Sequence, residues 1–309
     1  MSFSHEPVLL QETLDLLEPL PGETVVDCTL GAGGHTMAMW QRMQGKGRLI
    51  AIDQDPAAIA NAKATLPTEI VLVHDNFRNL KSILLSLGVD YAHRILFDLG
   101  VSSPQLDIAE RGFSYQQEAA LDMRMNPDNS LTAAQLVNES TEEELARIIW
   151  EYGEERWAKR IAAFVVKYRQ EKGPIETTGQ LVDIIKRAVP AAARQNGPHP
   201  AKRTFQALRI AVNNELELLA PALEIAIDSL TPGGRVAVIS FHSLEDRIVK
   251  QVFRKLAQGC TCPPRLPVCI CGKEPKLKII TKRPVTPSKS EIKNNPRARS
   301  SKLRVAERC

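Results

Sequence analysis

The sequence predicts an α/β protein whose parallel sheet is interrupted by an all-helical insertion, and three observations predict it. Short apolar runs alternate with amphipathic helical stretches through the first hundred residues, roughly the next hundred show helical periodicity with no convincing strand, and a buried strand pattern returns at Arg235. A chain of 309 residues has room for about two domains at roughly 150 residues each, and this order places one core inside the other.

Residues 24–27, 48–53, 70–73 and 94–98 are strand-like, and stretches such as 56–64 between them are helical, a βαβ rhythm. Three of these strands end in Asp27, Asp53 and Asp98, which puts carboxylates at the C-terminal sheet edge, where open α/β sheets bind ligands. From about Leu106 the period changes. Thr141 to Glu144 form a capping box, and Trp157, Ile161, Phe164, Val165 and Tyr168, then Leu181, Ile184, Ile185, Ala188 and Val189, recur at helical spacing. Residues 214–230 predict a long helix, Pro232-Gly233-Gly234 a turn, and 235–241 a buried strand. Residues 278–281 and 302–305 suit short edge strands closing the sheet. The expected division is 1–105 with 208–309 as the α/β domain and 106–207 as the helical insertion.

A hydrophobic fraction of 43% and a charged fraction of 25% exclude disordered, collagenous and disulfide-scaffold proteins. No stretch reaches the ~20 uncharged apolar residues of a membrane helix, and the opening residues carry acids where a signal peptide is basic and then apolar, so no membrane association and a cytoplasmic location are expected. The net charge is only +4, but residues 273–309 hold seven Lys and five Arg against three Glu, which is +9 and leaves −5 for the rest. Such a basic segment suits phosphate.

Gly31-Ala32-Gly33-Gly34-His35-Thr36 follows a strand and precedes a helix, where glycines let backbone N–H groups approach a nucleotide-like cofactor. A dinucleotide site wants glycine at the slot Thr36 fills, and Asp27 would repel a pyrophosphate. S-adenosylmethionine, whose amino-acid end is cationic, suits that carboxylate; a capped structural turn is the alternative. Asp53, 22 residues after Gly31, can accept both ribose hydroxyls of NAD or of S-adenosylmethionine alike. Phe77 follows the third strand, where it either stacks on adenine or packs in the core. Residues 96–107 then combine an acid, a glycine, two hydroxyls, a proline and an amide. Ser103-Pro104-Gln105 partly matches the loop amino-methylating enzymes keep there. An exocyclic cytosine amine needs acceptors for its hydrogens as its nitrogen becomes tetrahedral, and Asp98 is the candidate, for that role or for a contact to the methionine moiety.

The segments Asp27 to Thr36, Asp98 to Asp107, Arg111 to Ser114, Leu121 to Met125, Thr204 to Asn213, Ser240 to Arg247 and Asn295 to Ser300 together resemble the RsmH (MraW) family, with the likeness running from His5 to Arg308. These are bacterial methyltransferases acting on N4 of a cytidine in the decoding region of small-subunit ribosomal RNA. The resemblance implies a Rossmann-like, S-adenosylmethionine-dependent methyltransferase sheet with an inserted all-helical domain for substrate recognition. It implies cofactor contacts at Gly33, Gly34, His35, Asp53, Phe77, Asp98 and Gln105, and 16S ribosomal RNA or the small ribosomal subunit as partner. A dehydrogenase is the runner-up; a ribosome-binding factor without catalysis is disfavoured by the intact Asp27, Gly33, Asp53 and Asp98.

Within the insertion, Lys202, Arg203 and Arg209 interleave with Phe205, which suits phosphate contact and base stacking, or equally a solvated helix with Phe205 in the core. His242 lies just past a strand, where it can line a substrate pocket, and residues 243–246 read as a helix cap. Cys260, Cys262, Cys269 and Cys271 crowd into one segment. Their single-residue spacing departs from the usual zinc C-x₂₋₄-C, so a structural zinc and surface thiols both stand.

Overall fold

The computed structural model describes residues 7–195, 197, 199–260, 262 and 271–309. The chain divides into two compact units, Met1–Gly100 with Leu216–Cys309, and Val101–Glu215.

The first unit opens with α1 (Leu10–Leu17), β1 (Thr24–Asp27), α2 (Gly34–Arg42), β2 (Arg48–Asp53), α3 (Pro56–Thr65), β3 (Val71–His74), α4 (Leu80–Ser86) and β4 (Ala92–Asp98). Their starts follow local chemistry. Asp55 caps α3 by accepting the Ala57 N–H at 3.0 Å, with Pro56 at the first helical position.

The second unit holds α5 (Ser103–Asp107), α6 (Ala133–Glu139), α7 (Glu142–Gly153), α8 (Ala158–Lys172), α9 (Thr178–Ala188), α10 (Ala191–Gln195) and α11 (Lys202–Asn213). Capping boxes open α6 at Thr132, α7 at Thr141 and α9 at Thr177. One core, including Leu145, Ile161, Ile185, Phe205 and Leu208, holds the bundle together. Asn213 pins the loop before α6 to α11: its Oδ1 accepts the Met125 N–H at 2.7 Å and its Nδ2 donates to the Met123 carbonyl at 2.8 Å. Arg111 donates to the Arg124 and Met125 carbonyls, and Arg124 pairs with Asp122. Polar residues of three expected family motifs, Arg111, Asp122 with Arg124, and Asn213, are therefore internal struts of this unit. Helix α11 runs unbroken through the expected 207/208 border, and the compact unit ends instead at Glu215.

The first unit resumes at Leu216, the second residue of α12 (Glu215–Asp228), and continues with β5 (Leu230–Ser240), α13 (Ser243–Ala257), β6 (Leu277–Ile279), α14 (Lys289–Asn294) and β7 (Lys302–Arg308). Its seven-stranded sheet has the order β3-β2-β1-β4-β5-β7-β6. Strands β1 to β5 are parallel, and β7 runs antiparallel between β5 and β6. Two sequence expectations are corrected here. Pro232-Gly233-Gly234 is not a separate turn but part of β5, absorbed as a register shift against β4 between Ala92 and Arg94. Of the two expected edge strands only β6 lies at an edge, because β7 inserts beside β5 with six paired positions. Alternate residues explain why the sheet is buried on both faces: Val26, Ile52, Phe97 and Val238 enter one core, while Val25, Ala51, Leu96 and Ile239 enter the other. Among the described residues no helix is long and apolar enough to cross a membrane.

Candidate active site at the carboxyl edge of the sheet

Asp27, Asp53 and Asp98 end β1, β2 and β4, so the parallel register itself gathers three acids at one edge of the first unit. Each has a different task. Asp27 is fully buried, accepting the Thr36 hydroxyl at 2.6 Å and the Thr29 N–H at 3.1 Å. Burial pushes its carboxyl up to about 6, against the pull of those hydrogen bonds. Both oxygens serve the turn, so Asp27 reaches a ligand through its field and not by contact.

Asp53 clamps the same turn from the other side. Its Oδ2 accepts the Gly31 N–H at 2.7 Å and its Oδ1 the Asp55 N–H at 2.8 Å. A carboxylate has about four lone-pair sites, so one on each oxygen remains for a ligand hydroxyl. Burial again dominates and pushes the group up to about 6.

Asp98 is the least satisfied acid of the three. Its backbone N–H donates to the Thr29 hydroxyl at 2.6 Å, which fixes the strand end, but its Oδ1 is shielded from solvent and has no hydrogen-bond partner among the described residues. Oδ2 lies 3.6 Å from Nε2 of His35. Burial, then the charges of Asp27 and Glu245, push the Asp98 carboxyl well above the usual carboxylate range. His35 offers it no cation, since burial pulls that imidazole down to about 4. A shielded acceptor raised by two like charges fits a cationic or hydrogen-donating ligand.

The glycine turn supplies donors. Gly33 sits at φ 84° as the N-cap of α2 with no side-chain cap, leaving the first N–H groups of the helix without an intrahelical partner. Gly34 is required by crowding: a Cβ there would stand 2.3 Å from the Pro7 ring. The His35 side chain is only 5% exposed and turned to Asp98, so its expected ligand contact would fall to its backbone. Asn76 ties the turn after β3 to Gln54 at 2.8 Å, and half-buried Phe77 meets Phe97 edge-on with centroids 5.6 Å apart. Phe77 thus packs on the core, and its partial exposure still leaves ring surface for stacking.

Gly33, Gly34, His35, Asp53, Phe77 and Asp98 all belong to the first unit. Gln105 belongs to the second, where it is buried and its Oε1 accepts the Ser102 N–H at 3.0 Å in a capping box opening α5. Phe205 is a core residue, 3% exposed, and Arg209 is bound to Glu215 by two hydrogen bonds at 2.8 and 2.7 Å, so neither is a surface contact. His242, not Ser243, caps α13: its Nδ1 accepts the Glu245 N–H, and Glu245 accepts the Phe241 N–H at 2.8 Å. Cys269 lies outside the described residues. Thr29, Thr36 and buried Glu245 have no site role expected from the sequence; for Thr29 the available signal is a hydroxyl two residues past a strand-end acid.

This donor set fits S-adenosylmethionine. Asp53 has acceptor capacity for two hydroxyls and the α2 amino end suits a carboxylate, whereas a pyrophosphate would face three acids.

Comparison with known proteins agrees with that chemistry. The ribosomal RNA small subunit methyltransferase H of Heliobacterium mobile is 58% identical, covering 100% of both chains. Its counterparts in Brevibacillus brevis and Clostridium botulinum are 53% and 52% identical, covering 100% of this chain and 99% and 100% of theirs. A solved rRNA methylase from Streptococcus thermophilus is more distant, with a TM-score of 0.42 at 12% identity over 98% of this chain and 97% of that one. The model of the MraW methylase family matches residues 2–309, and the chain belongs to that family.

Proposed function

We propose that the chain transfers a methyl group from S-adenosyl-L-methionine to the N4 exocyclic amine of a cytidine in the decoding region of 16S ribosomal RNA, in the cytoplasm. The observation that carries the site assignment is the shielded, unpartnered Oδ1 of Asp98 at the sheet edge. When bound, the cofactor supplies an electrophilic methyl on a sulfonium. Asp53 would hold the ribose hydroxyls, the backbone of Gly33, Gly34 and His35 would receive the methionine carboxylate, and Phe77 would offer its exposed ring surface to the adenine. Asp98 would accept a hydrogen of the target amine, whose lone pair is otherwise delocalised into the ring, and so would favour a tetrahedral nitrogen.

The second unit recognises the RNA. A cavity of 210 Å³ lined by Arg156, Trp157, His199 and Arg203 supports this. Its volume lies below the roughly 300–1,000 Å³ of a drug-sized ligand pocket and suits one flat base. Arg156 stacks 5.3 Å over the Trp157 ring, and the Trp157 Nε1–H is buried with no partner among the described residues, a donor awaiting an acceptor. Lys202 and Arg203 add positive charge on the adjoining helix.

Mass mapping of small-subunit RNA from cells lacking the chain tests the proposal. One cytidine is expected to lose a methyl, regained on adding wild-type chain with S-adenosylmethionine but not Asp98→Asn. Unchanged cytidines would sink it.

A further inference from the structure

Three thiols converge on the connection between α13 and β6. The neck of that connection is pinned by the Lys276 N–H, which donates to the Leu256 carbonyl at 2.9 Å. Just beyond it, the Sγ atoms of Cys260, Cys262 and Cys271 all lie within 4.8 Å of one another. Cys260 and Cys271 are 3.7 Å apart at sulfur. A disulfide would need about 2.05 Å. Two thiolates on one tetrahedral zinc, each at about 2.3 Å, are separated by about 3.8 Å.

We propose that Cys260, Cys262 and Cys271 bind a structural Zn²⁺ that staples this connection, a site separate from the methyltransferase chemistry. The sequence spacing C-x-C departs from the usual zinc C-x₂₋₄-C, and two thiols alone would leave a tetrahedral ion half-ligated. The fold removes that objection by bringing the second pair's Cys271 back over the first. The Cys262 N–H donates to Cys260 Sγ at 3.4 Å, a contact that stabilises the thiolate form. Positive charge is close in sequence, since residues 273–309 carry +9. All-thiolate ligation selects a borderline-soft ion over Mg²⁺ or Ca²⁺. On binding, each ligating thiol releases its proton to solvent and donates an electron pair to the metal, with no change of oxidation state.

The test uses the full chain, purified under a thiol-free reductant after incubation with equimolar Zn²⁺ and gel filtration. Elemental analysis is expected to find about one zinc per chain. Cys260→Ser and Cys271→Ser should each lower it about tenfold or more, with the far-UV circular dichroism unchanged, whereas Cys309→Ser keeps it. Zinc below about a tenth per wild-type chain, or content unchanged in both serine variants, overturns the proposal. If the variants misfold, Co²⁺ titration of wild type decides: tetrahedral d–d bands with thiolate-to-cobalt charge transfer support the site, and octahedral cobalt alone overturns it.

Discussion

Replacing Asp53 by Asn removes one charge and one acceptor while keeping the shape of the side chain. Asp53 holds two backbone N–H groups, from Gly31 and Asp55, so the amide must turn its NH₂ toward one of them and lose that bond. Two terms then oppose each other in stability. Lifting the carboxyl from 3.8 to about 6 means that its buried charge costs up to about 3 kcal/mol, at about 1.36 kcal/mol per pH unit. Because the folded value is raised above the unfolded one, that cost is absent below about 3.8, grows through the interval and is complete above about 6. Asparagine recovers it at pH 8 but forfeits one charge-assisted hydrogen bond of about 1.5–3 kcal/mol, so unfolding free energy should change little. Cofactor affinity should change far more. Losing one hydroxyl acceptor at the same 1.5–3 kcal/mol weakens S-adenosylhomocysteine about 10- to 150-fold at pH 8. Ligand hydroxyls favour the ionised carboxylate, so wild-type affinity should fall as pH drops through about 6, by at most about tenfold per unit for one proton. The variant lacks that component. Titration calorimetry between pH 8 and 5, with RNA affinity measured alongside, reads all of this. Affinity within threefold of wild type at pH 8, a flat wild-type profile, or an equal loss of RNA binding would refute the role given to Asp53.

Asp98→Asn should cut methyl transfer about a hundredfold or more in single-turnover assays while leaving S-adenosylhomocysteine affinity nearly intact; a loss of affinity instead would move Asp98 from the amine to the methionine moiety. The same variant should gain stability over wild type as pH rises from about 3.8, because there the unfolded chain gives up a proton that the raised Asp98 carboxyl still holds in the fold; a stability difference that is the same at low and high pH would contradict it. Gly34→Ala should destabilise by about 1–3 kcal/mol in urea unfolding and weaken the cofactor, since its Cβ would force the Pro7 ring aside; an unchanged midpoint would contradict the crowding. Reversing Arg156 and Arg203 to Glu should weaken RNA binding and reduce its salt slope by about one per lost phosphate contact, with cofactor affinity unmoved. Loss of cofactor affinity as well would point to a folding defect.

Much of the first unit was legible because a parallel strand buried on both faces writes itself as an unbroken apolar run, as in residues 48–53, and because its terminal acid marks the edge where ligands bind. Capping boxes at Thr141 and Thr177 are short-range chemistry and equally readable. What failed to show in the sequence was long-range. Nothing around Pro232 says that its turn will be pulled into β5, nor that β7 will slide between β5 and β6, since both follow from pairing with strands far along the chain. Phe205 and Arg209 look from their spacing as ready to face RNA as to pack inward, and tertiary packing spends them on a core and an ion pair.

The sequence by itself determined that three acids and a glycine turn meet at one sheet edge, because strand order and period suffice to put them there. Only the tertiary structure decided what each acid does. Asp27 is consumed by Thr29 and Thr36, Asp53 is half-used by two N–H groups, and Asp98 keeps an unpartnered oxygen. That division depends on which donors the folded chain brings within hydrogen-bond distance of each carboxylate, and on how much water it excludes. Neither quantity exists until the chain has folded.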